Sequence, residues 1–290
     1  MSVGCEDNTN KLDTTRVVFT ILFAGVDIGS TTSKCVLIDE TKRMISFQII
    51  PTSFDRNASG EEVLRKALEE SGLTLDEVVS VVSTGYGRKA FKRANKNIPE
   101  ITAHAVGTQM LFPNVRTIID IGGQDSKVIE IDERGMVIRF AMNDKCAAGT
   151  GRFFEVLSER LLNVEMDDLS PMILQAKNPC SISSMCTIFA ESEIISYLSQ
   201  GVAKEDIVAG MGASIVRRIV SMGRSSQITF PEPIVFSGGV AKNEGIRREF
   251  ERMLEKPVTA LKLPQSTAAI GAALEALKIF KKKESGDNCV

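Results

Sequence analysis

Two cysteine-containing turns are the parts of this sequence whose residue types could do chemistry. Cys146 lies in a turn of small residues, and Cys186 lies in a second, polar turn forty positions later. Each turn runs into apolar residues at helical spacing, which predicts helices over 152–162 and 187–198. The positive end of a helix lowers the pKa of a thiol and favours the thiolate. Two such thiolates form a half-site for a metal or an anion, and a symmetric dimer would supply the four that an iron–sulfur cluster needs.

Two simpler roles compete with metal binding at these cysteines. A free cysteine is more often a small buried hydrophobic residue, and a zinc site usually adds close cysteine pairs or histidines. The single histidine, His104, is near no cysteine in the sequence, and we expect it to be a core or surface residue. Metal ligation is predicted for Cys146 and Cys186 only. The remaining cysteines have no comparable setting and no C-x-x-C spacing: Cys5, Cys35, Cys180 and Cys289.

A short repeat indicates that the chain has two similar halves. The thirteen residues that begin at Asp27 align without gaps with the thirteen that begin at Asp120, and seven are identical at a constant offset of 93. Each copy follows a β-rich run, contains a tight turn and leads into further residues typical of strands. A fixed offset of this kind indicates an internal duplication. We therefore predict two lobes that face one another.

The repeated turns have the composition of a phosphate-binding hairpin. Glycine lets backbone N–H groups approach phosphate oxygens, and the hydroxyl groups between Gly29 and Lys34 add donors. An aspartate at a strand end, as at Asp27 and Asp120, can hold Mg²⁺ through its water shell. One such turn alone is more often a plain hairpin, but a pair led by aspartate favours a phosphate clamp. The alternative P-loop motif, G-x-x-x-x-G-K-[ST], is absent.

Strand and helix patterns alternate along the chain, which predicts mixed α/β lobes. Strands are predicted at residues 20–26, 45–50, 78–82, 116–119, 137–141, 233–236 and 258–261, and helices at 60–71, 204–222, 244–254 and 267–281. The last helix is expected to pack on the first lobe. The loop 237–243 contains two glycines on which a flat base or a ribose could lie, although a loop of this kind can equally serve packing alone.

Composition argues against several classes of protein. The chain has 290 residues, 43% of them apolar, and its net charge of −2 gives no electrostatic support for nucleic-acid binding. The longest early apolar run, Val17–Val26, is half of the roughly 20 residues that span a bilayer, and we interpret it as a buried strand rather than a signal peptide. The cysteine spacing is not that of a disulfide framework. We expect a cytoplasmic protein with no nucleic-acid or membrane partner.

Taken together, the motifs closely resemble those of one protein family. The matching stretches are VDIGSTTSK, STGYGR, DIGGQDSK, MNDKCAAGTGRFFE, SSMCTIFAESE, SGGVAKN and QSTAAIGAAL. They are similar to the activators of 2-hydroxyacyl-CoA dehydratases, which form a family with the ATP-dependent subunits of benzoyl-CoA reductases. The resemblance spans residues 24 to about 277. It implies the duplicated ribonuclease-H-like α/β fold of the acetate and sugar kinase/Hsp70/actin superfamily, with an ATP cleft between two lobes.

On this resemblance the chain divides into two lobes with short extensions at both ends. The first lobe is expected to comprise residues 21–112 together with 264–283, so that the final helix belongs to the first lobe although it ends the chain. The second lobe, residues 113–263, would carry both cysteines. Residues 1–20 are expected to be disordered or to lie outside the family, and 284–290 to form a tail.

The resemblance also implies the ligands of this chain. One [4Fe–4S] cluster would be shared by a homodimer, with Cys146 and Cys186 of each subunit as its ligands, and ATP or ADP with Mg²⁺ would lie in the cleft. The candidates for catalysis are Asp27, Asp120, Gln124 and Asp125, the last two to orient the attacking water. Phosphate contacts are expected from Gly29, Ser30, Thr31, Thr32, Ser33, Lys34, Gly122, Gly123, Gln124 and Asp125. Nucleoside contacts are expected from Gly238, Gly239, Val240, Lys242, Asn243 and Gln265.

The function that the resemblance implies is an ATPase coupled to electron transfer. ATP binding would draw the lobes together and move the cysteine-headed helices, so that one electron passes from the cluster to a 2-hydroxyacyl-CoA dehydratase or a related reductase component. Reduced ferredoxin or flavodoxin is the expected electron source. Three alternatives stay open: a small-molecule kinase that uses the same cleft, a non-redox ATP switch or filament, and an activator of an uncharacterised dehydratase-like partner.

Overall fold

The chain folds around two five-stranded sheets in a computed structural model that describes residues 21–285. The strands of the first sheet are β1 (Leu22–Ile28), β2 (Thr32–Ile38), β3 (Met44–Pro51), β4 (Val78–Thr84) and β5 (Lys96–Asn97). Their order is β3-β2-β1-β4-β5, with β1, β2 and β3 antiparallel and β4 parallel to β1. Helix α1 (Arg56–Ser71) leads from β3 to β4, and α2 (Glu100–Leu111) follows β5.

The second sheet repeats this arrangement. Its strands are β6 (Thr117–Ile121), β7 (Ser126–Ile131), β8 (Val137–Asn143), β9 (Ile234–Ser237) and β10 (Val258–Ala260), in the order β10-β9-β6-β7-β8. Six helices accompany them: α3 (Gly151–Leu157), α4 (Leu169–Gln175), α5 (Thr187–Ser199), α6 (Lys204–Ser225), α7 (Glu244–Leu254) and α8 (Thr267–Glu284). A π-helical turn over Ser158–Leu162 continues α3. Read from the opposite edge, the strand order is that of the first sheet.

The two halves share their strand register as well as their strand order. Asp27 pairs with Lys34 in the β1–β2 hairpin, and Asp120 pairs with Lys127 in the β6–β7 hairpin. The pairing of the second strand with the third shifts at corresponding positions, after Leu37 and again 93 residues later. The internal duplication predicted from the hairpin sequences is therefore confirmed, and it extends through the third strand of each half.

Helices α2 and α8 join the two halves. In α8, Ala269 belongs to a buried cluster with Phe23 of the first sheet, so the final helix packs on that sheet. Helix α2 contributes Ala103 to the same cluster and Ala105 to a second cluster with Ile118 of the second sheet. The two sheets are thus connected through a pair of helices whose buried residues are mostly small.

The backbones of α2 and α8 touch where the helices cross. A Cβ atom on Gly107 would lie 1.9 Å from the carbonyl oxygen of Thr267, and one on Gly271 would lie 2.0 Å from the carbonyl oxygen of Ala103. No side chain fits at such distances, so both positions require glycine. This close crossing fixes how far apart the two halves lie.

The sequence patterns miss some elements and misplace others. They do not predict α2, because consecutive residues of that helix, Ala103 to Ala105, are all buried and no one-sided apolar stripe results. They also miss the short elements α4 and β5. Helix α1 begins at Arg56 rather than at the predicted Gly60, because the Asp55 carboxylate accepts a hydrogen bond from the backbone N–H of Ala58 and caps the helix.

Some predictions concern regions that the structure does not describe or divisions that it does not test. The predicted extension at residues 1–20 lies outside the described residues, as does 286–290 of the predicted tail. The division into lobes over 21–112 plus 264–283 and over 113–263 stays a prediction. Among residues 21–285, no helix is both long enough and apolar enough to cross a membrane.

Replacing Gly271 tests the contact that joins the halves. The Gly271→Ala variant must separate α2 from α8 to make room for its methyl group, and we expect a loss of about 1–3 kcal/mol in the free energy of unfolding. Urea denaturation measures this free energy of unfolding. Lys282→Ala, on the exposed end of the same helix, is the control and should change that free energy by less than about 0.5 kcal/mol. Equal stabilities of the two variants would contradict the proposed contact.

Candidate functional site

The turns of both hairpins face a single cleft. Residues of β1, β6 and the β9–α7 loop line it together with the two turns. Most of the predicted site residues are brought together there: Asp27, Gly29, Ser30, Thr31, Thr32, Lys34, Asp120, Gly122, Gly123, Asp125, Gly238, Gly239, Val240, Lys242 and Gln265. The structure therefore assembles, from stretches far apart in the sequence, the groups expected to contact a nucleotide.

Three of the residues predicted to contact the nucleotide are not part of the cleft wall. Ser33 is fully buried, and its hydroxyl forms a 2.8 Å hydrogen bond with that of Thr52. Gln124 is exposed on its turn, outside the cleft lining. Asn243 caps α7, since its side-chain oxygen accepts a hydrogen bond from the backbone N–H of Ile246 at 3.0 Å. The contacts of Ser33 and Asn243 are those of structural residues.

The two hairpin turns are built alike and touch each other. The N–H of Gly29 donates to the carbonyl oxygen of Thr32 at 3.1 Å, and the N–H of Gly122 donates to that of Asp125 at 2.9 Å. A Cβ atom on Gly123 would lie 2.4 Å from the hydroxyl oxygen of Thr31, so the second turn approaches the first where only glycine fits. Such tight, glycine-containing turns allow backbone groups to reach phosphate oxygens.

Lys127 is the centre of a buried cluster of charges. Its Nζ lies 2.8 Å from a carboxylate oxygen of Asp125, 3.4 Å from one of Asp120 and 3.8 Å from one of Glu100. Burial alone would lower the pKa of this lysine, but the three carboxylates raise it, so Lys127 remains protonated. The corresponding pair in the first half is simpler: Lys34 lies 3.2 Å from Asp27.

Asp120 is ionised although it is buried. Burial by itself would raise its pKa, but the charges of His104 and Lys127 and a 2.8 Å hydrogen bond from Ser237 outweigh this and hold the pKa at about 2. Asp27 occupies the equivalent place at the end of β1. The two carboxylates thus face the cleft from both halves, where hydrated Mg²⁺ could be held between them and the phosphates.

Several cleft residues were not predicted from the sequence. His104 lies in the cleft wall, 3.0 Å from the hydroxyl of Thr267, so it is a buried residue with a polar setting rather than an ordinary core residue. Lys127 could have been found, because it repeats Lys34 at the same offset. Tyr86, Gly151 and Glu155 lie within motifs that carry the family resemblance, but no role in the cleft was predicted for them. No sequence signal points to Glu100, Met166 and Pro264. Arg88 is absent from the cleft lining, and its guanidinium donates to the carbonyl oxygen of Gly85.

The two predicted metal ligands lie on neighbouring loops that share one support. Arg218 of α6 donates to the carbonyl oxygens of Ser184 and Met185, directly before Cys186, at 2.9 and 3.2 Å. A Cβ atom on Gly149, in the Cys146 loop, would lie 2.8 Å from Cδ of the same arginine. Both thiols are half-buried and free. Arg218 therefore positions both loops on one side of the second half.

The helix termini near the two cysteines are used differently. Cys186 is the N-cap residue of α5, as predicted. Cys146 lies five residues before α3, whose first two N–H groups, those of Gly151 and Arg152, donate to the carbonyl oxygens of Gly122 and Gly123 at 2.9 and 2.8 Å. The helix predicted after Cys146 is therefore present, and its first two amides bind the second hairpin turn.

The donor set fits a metal centre completed by a second copy. The described residues contain no group of three or more His, Cys, Asp and Glu side chains that could hold a metal ion, so Cys146 and Cys186 have no third ligand beside them within the described part of one chain. Burial raises the pKa of Cys35 and of Cys180, which disfavours their thiolates. Beside Cys186, large apolar side chains are exposed where a second copy could cover them: Met185, Ile188 and Phe189.

Replacing Lys127 tests the charge cluster. The Lys127→Met variant leaves three neighbouring carboxylates without their cation, and we expect the free energy of unfolding to fall by about 3–5 kcal/mol. Lys34→Met is the matched control, since it leaves one carboxylate unpaired in the equivalent position and should cost less. Urea denaturation at pH 7 compares the free energies of unfolding of the two variants. An equal or larger loss of that free energy in Lys34→Met would show that Lys127 is not the centre of the cluster.

Comparison with known proteins identifies the family. The sequence profile described as "BadF/BadG/BcrA/BcrD ATPase family" matches residues 24–276. The activator of lactoyl-CoA dehydratase from Anaerotignum propionicum is 43% identical over 260 residues, which cover 89% of this chain and 98% of that protein.

Two solved structures are similar to the whole described fold. The activator of the 2-hydroxyisocaproyl-CoA dehydratase from Clostridium difficile, with bound ADPNP, is 39% identical with a TM-score of 0.85, covering 93% of this chain and 99% of that one. Component A of (R)-2-hydroxyglutaryl-CoA dehydratase from Acidaminococcus fermentans is 38% identical with the same TM-score, covering 91% and 100%. The two-lobed α/β fold predicted from the sequence is confirmed. The chain is an ATPase that belongs to the BadF/BadG/BcrA/BcrD ATPase family.

Proposed function

We propose that this chain is an ATP-dependent one-electron donor that activates a 2-hydroxyacyl-CoA dehydratase or a related reductase component. One observation carries the proposal: the first two N–H groups of α3 bind the carbonyl oxygens of Gly122 and Gly123. The turn expected to contact phosphate is therefore joined by backbone hydrogen bonds to the loop of Cys146. We therefore expect a change at the nucleotide to displace the Cys146 loop, as coupling ATP to electron transfer requires.

The proposed redox site is a [4Fe–4S] cluster shared by a homodimer, with Cys146 and Cys186 of each subunit as ligands. When bound, such a cluster would supply single-electron chemistry at a potential set by the charge, hydrogen bonding and exposure around it. Arg218 supports both ligand loops and adds a positive charge next to them. The exposed apolar side chains beside Cys186 supply a surface that a second copy would bury.

Different residues of the cleft would contact different parts of a nucleotide. The turns at Gly29 and Gly122 offer backbone groups to phosphate, and Lys34 and Lys127 place positive charge beside them. Asp27 and Asp120 are placed to hold Mg²⁺ through water. Gly238 has a φ of 86°, which only glycine adopts readily, and together with Gly239 it leaves bare backbone on which the nucleoside could lie.

Glu100 is the cleft residue best suited to orient the attacking water. Its carboxylate is half-buried at the start of α2, and the nearest cation, Lys127, lies 3.8 Å away, beyond hydrogen-bond reach. Burial raises the pKa of Glu100, and the charges of Asp125 and Asp27 raise it further against the opposing effect of Lys127. A carboxylate with a raised pKa accepts a proton more readily. Asp125, by contrast, is already hydrogen-bonded to Lys127 at 2.8 Å.

The proposed partners follow from the relatives. Proteins that share about two fifths of their residues with this chain are named activators of lactoyl-CoA and 2-hydroxyisocaproyl-CoA dehydratases, and a further relative, 32% identical, is one of the subunits of benzoyl-CoA reductase from Thauera aromatica. We therefore propose a dehydratase-like component as electron acceptor and reduced ferredoxin or flavodoxin as electron source, in the cytoplasm. A small-molecule kinase or a non-redox ATP switch would give no role to two adjacent thiol loops joined to the cleft.

Iron and labile sulfide in anaerobically purified protein test the proposed function. We expect about four irons per dimer and a brown chromophore in the wild-type protein, with loss of both in Cys146→Ser and in Cys186→Ser. Cys180→Ser is the matched control from the same half and should retain its iron, because that thiol is disfavoured as a ligand. A colourless wild-type protein that is dimeric and hydrolyses ATP after anaerobic reconstitution would exclude the electron donor and favour the kinase or switch.

The role of Glu100 has its own test. In Glu100→Gln we expect kcat for ATP hydrolysis to fall at least tenfold while KM changes little. The wild-type rate should decline on acidification at a pH above the ordinary range for glutamate, because protonating Glu100 removes the base, and this decline should be absent from the residual rate of Glu100→Gln. Glu155→Gln removes another cleft carboxylate, one already paired with Arg152, and should have a smaller effect. A wild-type rate in Glu100→Gln would refute the role.

A further inference from the structure

One hydrogen bond crosses directly from the first half of the chain to the loop of Cys146. The hydroxyl of Tyr86 donates to a carboxylate oxygen of Asp144 at 3.0 Å, although the two residues are 58 positions apart. Tyr86 follows β4 of the first sheet and lines the cleft, whereas Asp144 follows β8 of the second sheet and stands two residues before Cys146. The bond therefore spans the two halves at the point where the cleft meets the cysteine loop.

Tyr86 is fixed to the part of the first half that faces the nucleotide. Gly85 has a φ of 84°, and a Cβ atom there would lie 2.4 Å from a carboxylate oxygen of Asp27. The N–H of Gly87 donates to the carbonyl oxygen of Ile28 at 2.8 Å, and Arg88 donates to that of Gly85. The loop thus packs on the end of β1. A displacement of the end of β1 would therefore reach the loop that carries Tyr86.

Asp144 is fixed to the cysteine loop on the other side. The neighbouring Asn143 donates from its side-chain amide to the carbonyl oxygens of Cys146 and Ala148, at 2.8 and 3.0 Å. These two bonds close the loop into a compact unit that contains Asp144. A displacement of Asp144 would therefore shift the backbone of Cys146, because the loop between them is held together by these hydrogen bonds.

The phenol is a permanent donor. Partial desolvation raises the pKa of Tyr86 to about 12 although half of the side chain is exposed, and the hydrogen bond to Asp144 contributes to the rise. Tyr86 stays neutral throughout the physiological range and can always donate to the carboxylate. The bond lies at the surface, where half of the Tyr86 side chain is exposed, so it is the position of the bond between the two halves, and not its burial, that bears on the loop.

We propose that the hydrogen bond between Tyr86 and Asp144 is a latch that sets the position of the Cys146 loop according to how far the two halves have closed on a nucleotide. This proposal rests on the proposed function for the role of Cys146. Within that function, Tyr86 is a positioning residue. The loop has two attachments, to its own half through Gly122 and Gly123 and to the opposite half through Tyr86. Closure moves one attachment relative to the other, and the thiol is carried with it.

The reactivity of the Cys146 thiol in metal-free, full-length protein tests the latch without using the redox activity. Cys5, Cys180, Cys186 and Cys289 are replaced by serine, which leaves Cys146 and the fully buried Cys35. Alkylation by monobromobimane is then timed with ADP and with ADPNP at saturating concentrations. We expect the two rates to differ about tenfold in this parent protein, in line with typical coupling between sites, and to differ less than about twofold once Tyr86→Phe is added.

Three further variants sharpen the test. Asp144→Ala removes the acceptor and should abolish the nucleotide dependence, whereas Asp144→Asn keeps an acceptor oxygen and should retain most of it. Tyr197→Phe is the matched control, because Tyr197 is the other tyrosine of the chain and donates at the same distance, 3.0 Å, to the carbonyl oxygen of Ser181 within the second half. It should behave like the parent protein.

Two outcomes would overturn the latch: equal alkylation rates with ADP and ADPNP in the parent protein, or a parental ratio of rates in Tyr86→Phe. Urea denaturation of each variant shows that a lost ratio does not come from unfolding. The proposed function fails separately, by the absence of iron from anaerobic wild-type protein. A nucleotide-dependent thiol in a protein without iron would keep the latch and remove the electron donor.

Discussion

The cleft depends on a single buried ammonium group. Lys127 lies among carboxylates from three places, the end of β6, the second hairpin turn and the start of α2. Without that positive charge these carboxylates would repel one another and any phosphate placed beside them. Because Glu100 belongs to the helix that bridges both halves, the same charge also ties the bridging helix to the second sheet. The charge that neutralises the carboxylates of the cleft therefore also helps to hold the two halves in their arrangement.

Glycine provides the second constraint on the cleft. Gly107 and Gly271 let α2 and α8 cross with their backbones in contact, and Gly123 lets the two hairpin turns touch. Close packing of this kind leaves little room for gradual deformation, which favours rigid-body displacement of the halves over bending within them. A rigid frame with a small number of cross-contacts is suited to passing a change at a nucleotide to a distant loop.

The sequence predicted the repeated hairpins, the α/β class and most residues of the cleft wall, because these depend on local composition repeated at a fixed offset. It could not predict Glu100 or His104, since each reaches the cleft through long-range packing that no local pattern records. Tyr86 lies in a recognised motif, but its place in the cleft was not predicted. Helix α2 was not predicted because it is buried on several sides, so its sequence shows no one-sided apolar stripe. The attachment of α3 to the second hairpin turn was not predicted for a related reason: Gly122 and Gly123, which accept from its amides, lie outside the local sequence.

The attachment of α3 to the second hairpin turn also sets an order of assembly. The carbonyl groups of Gly122 and Gly123 are in place only after β6 and β7 have paired, and only then can the N–H groups of Gly151 and Arg152 close the loop that carries Cys146. A nascent chain therefore cannot present this thiol in its final position before the hairpin exists. A ligand that recognises Cys146 in this position therefore requires the β6–β7 hairpin to have formed first.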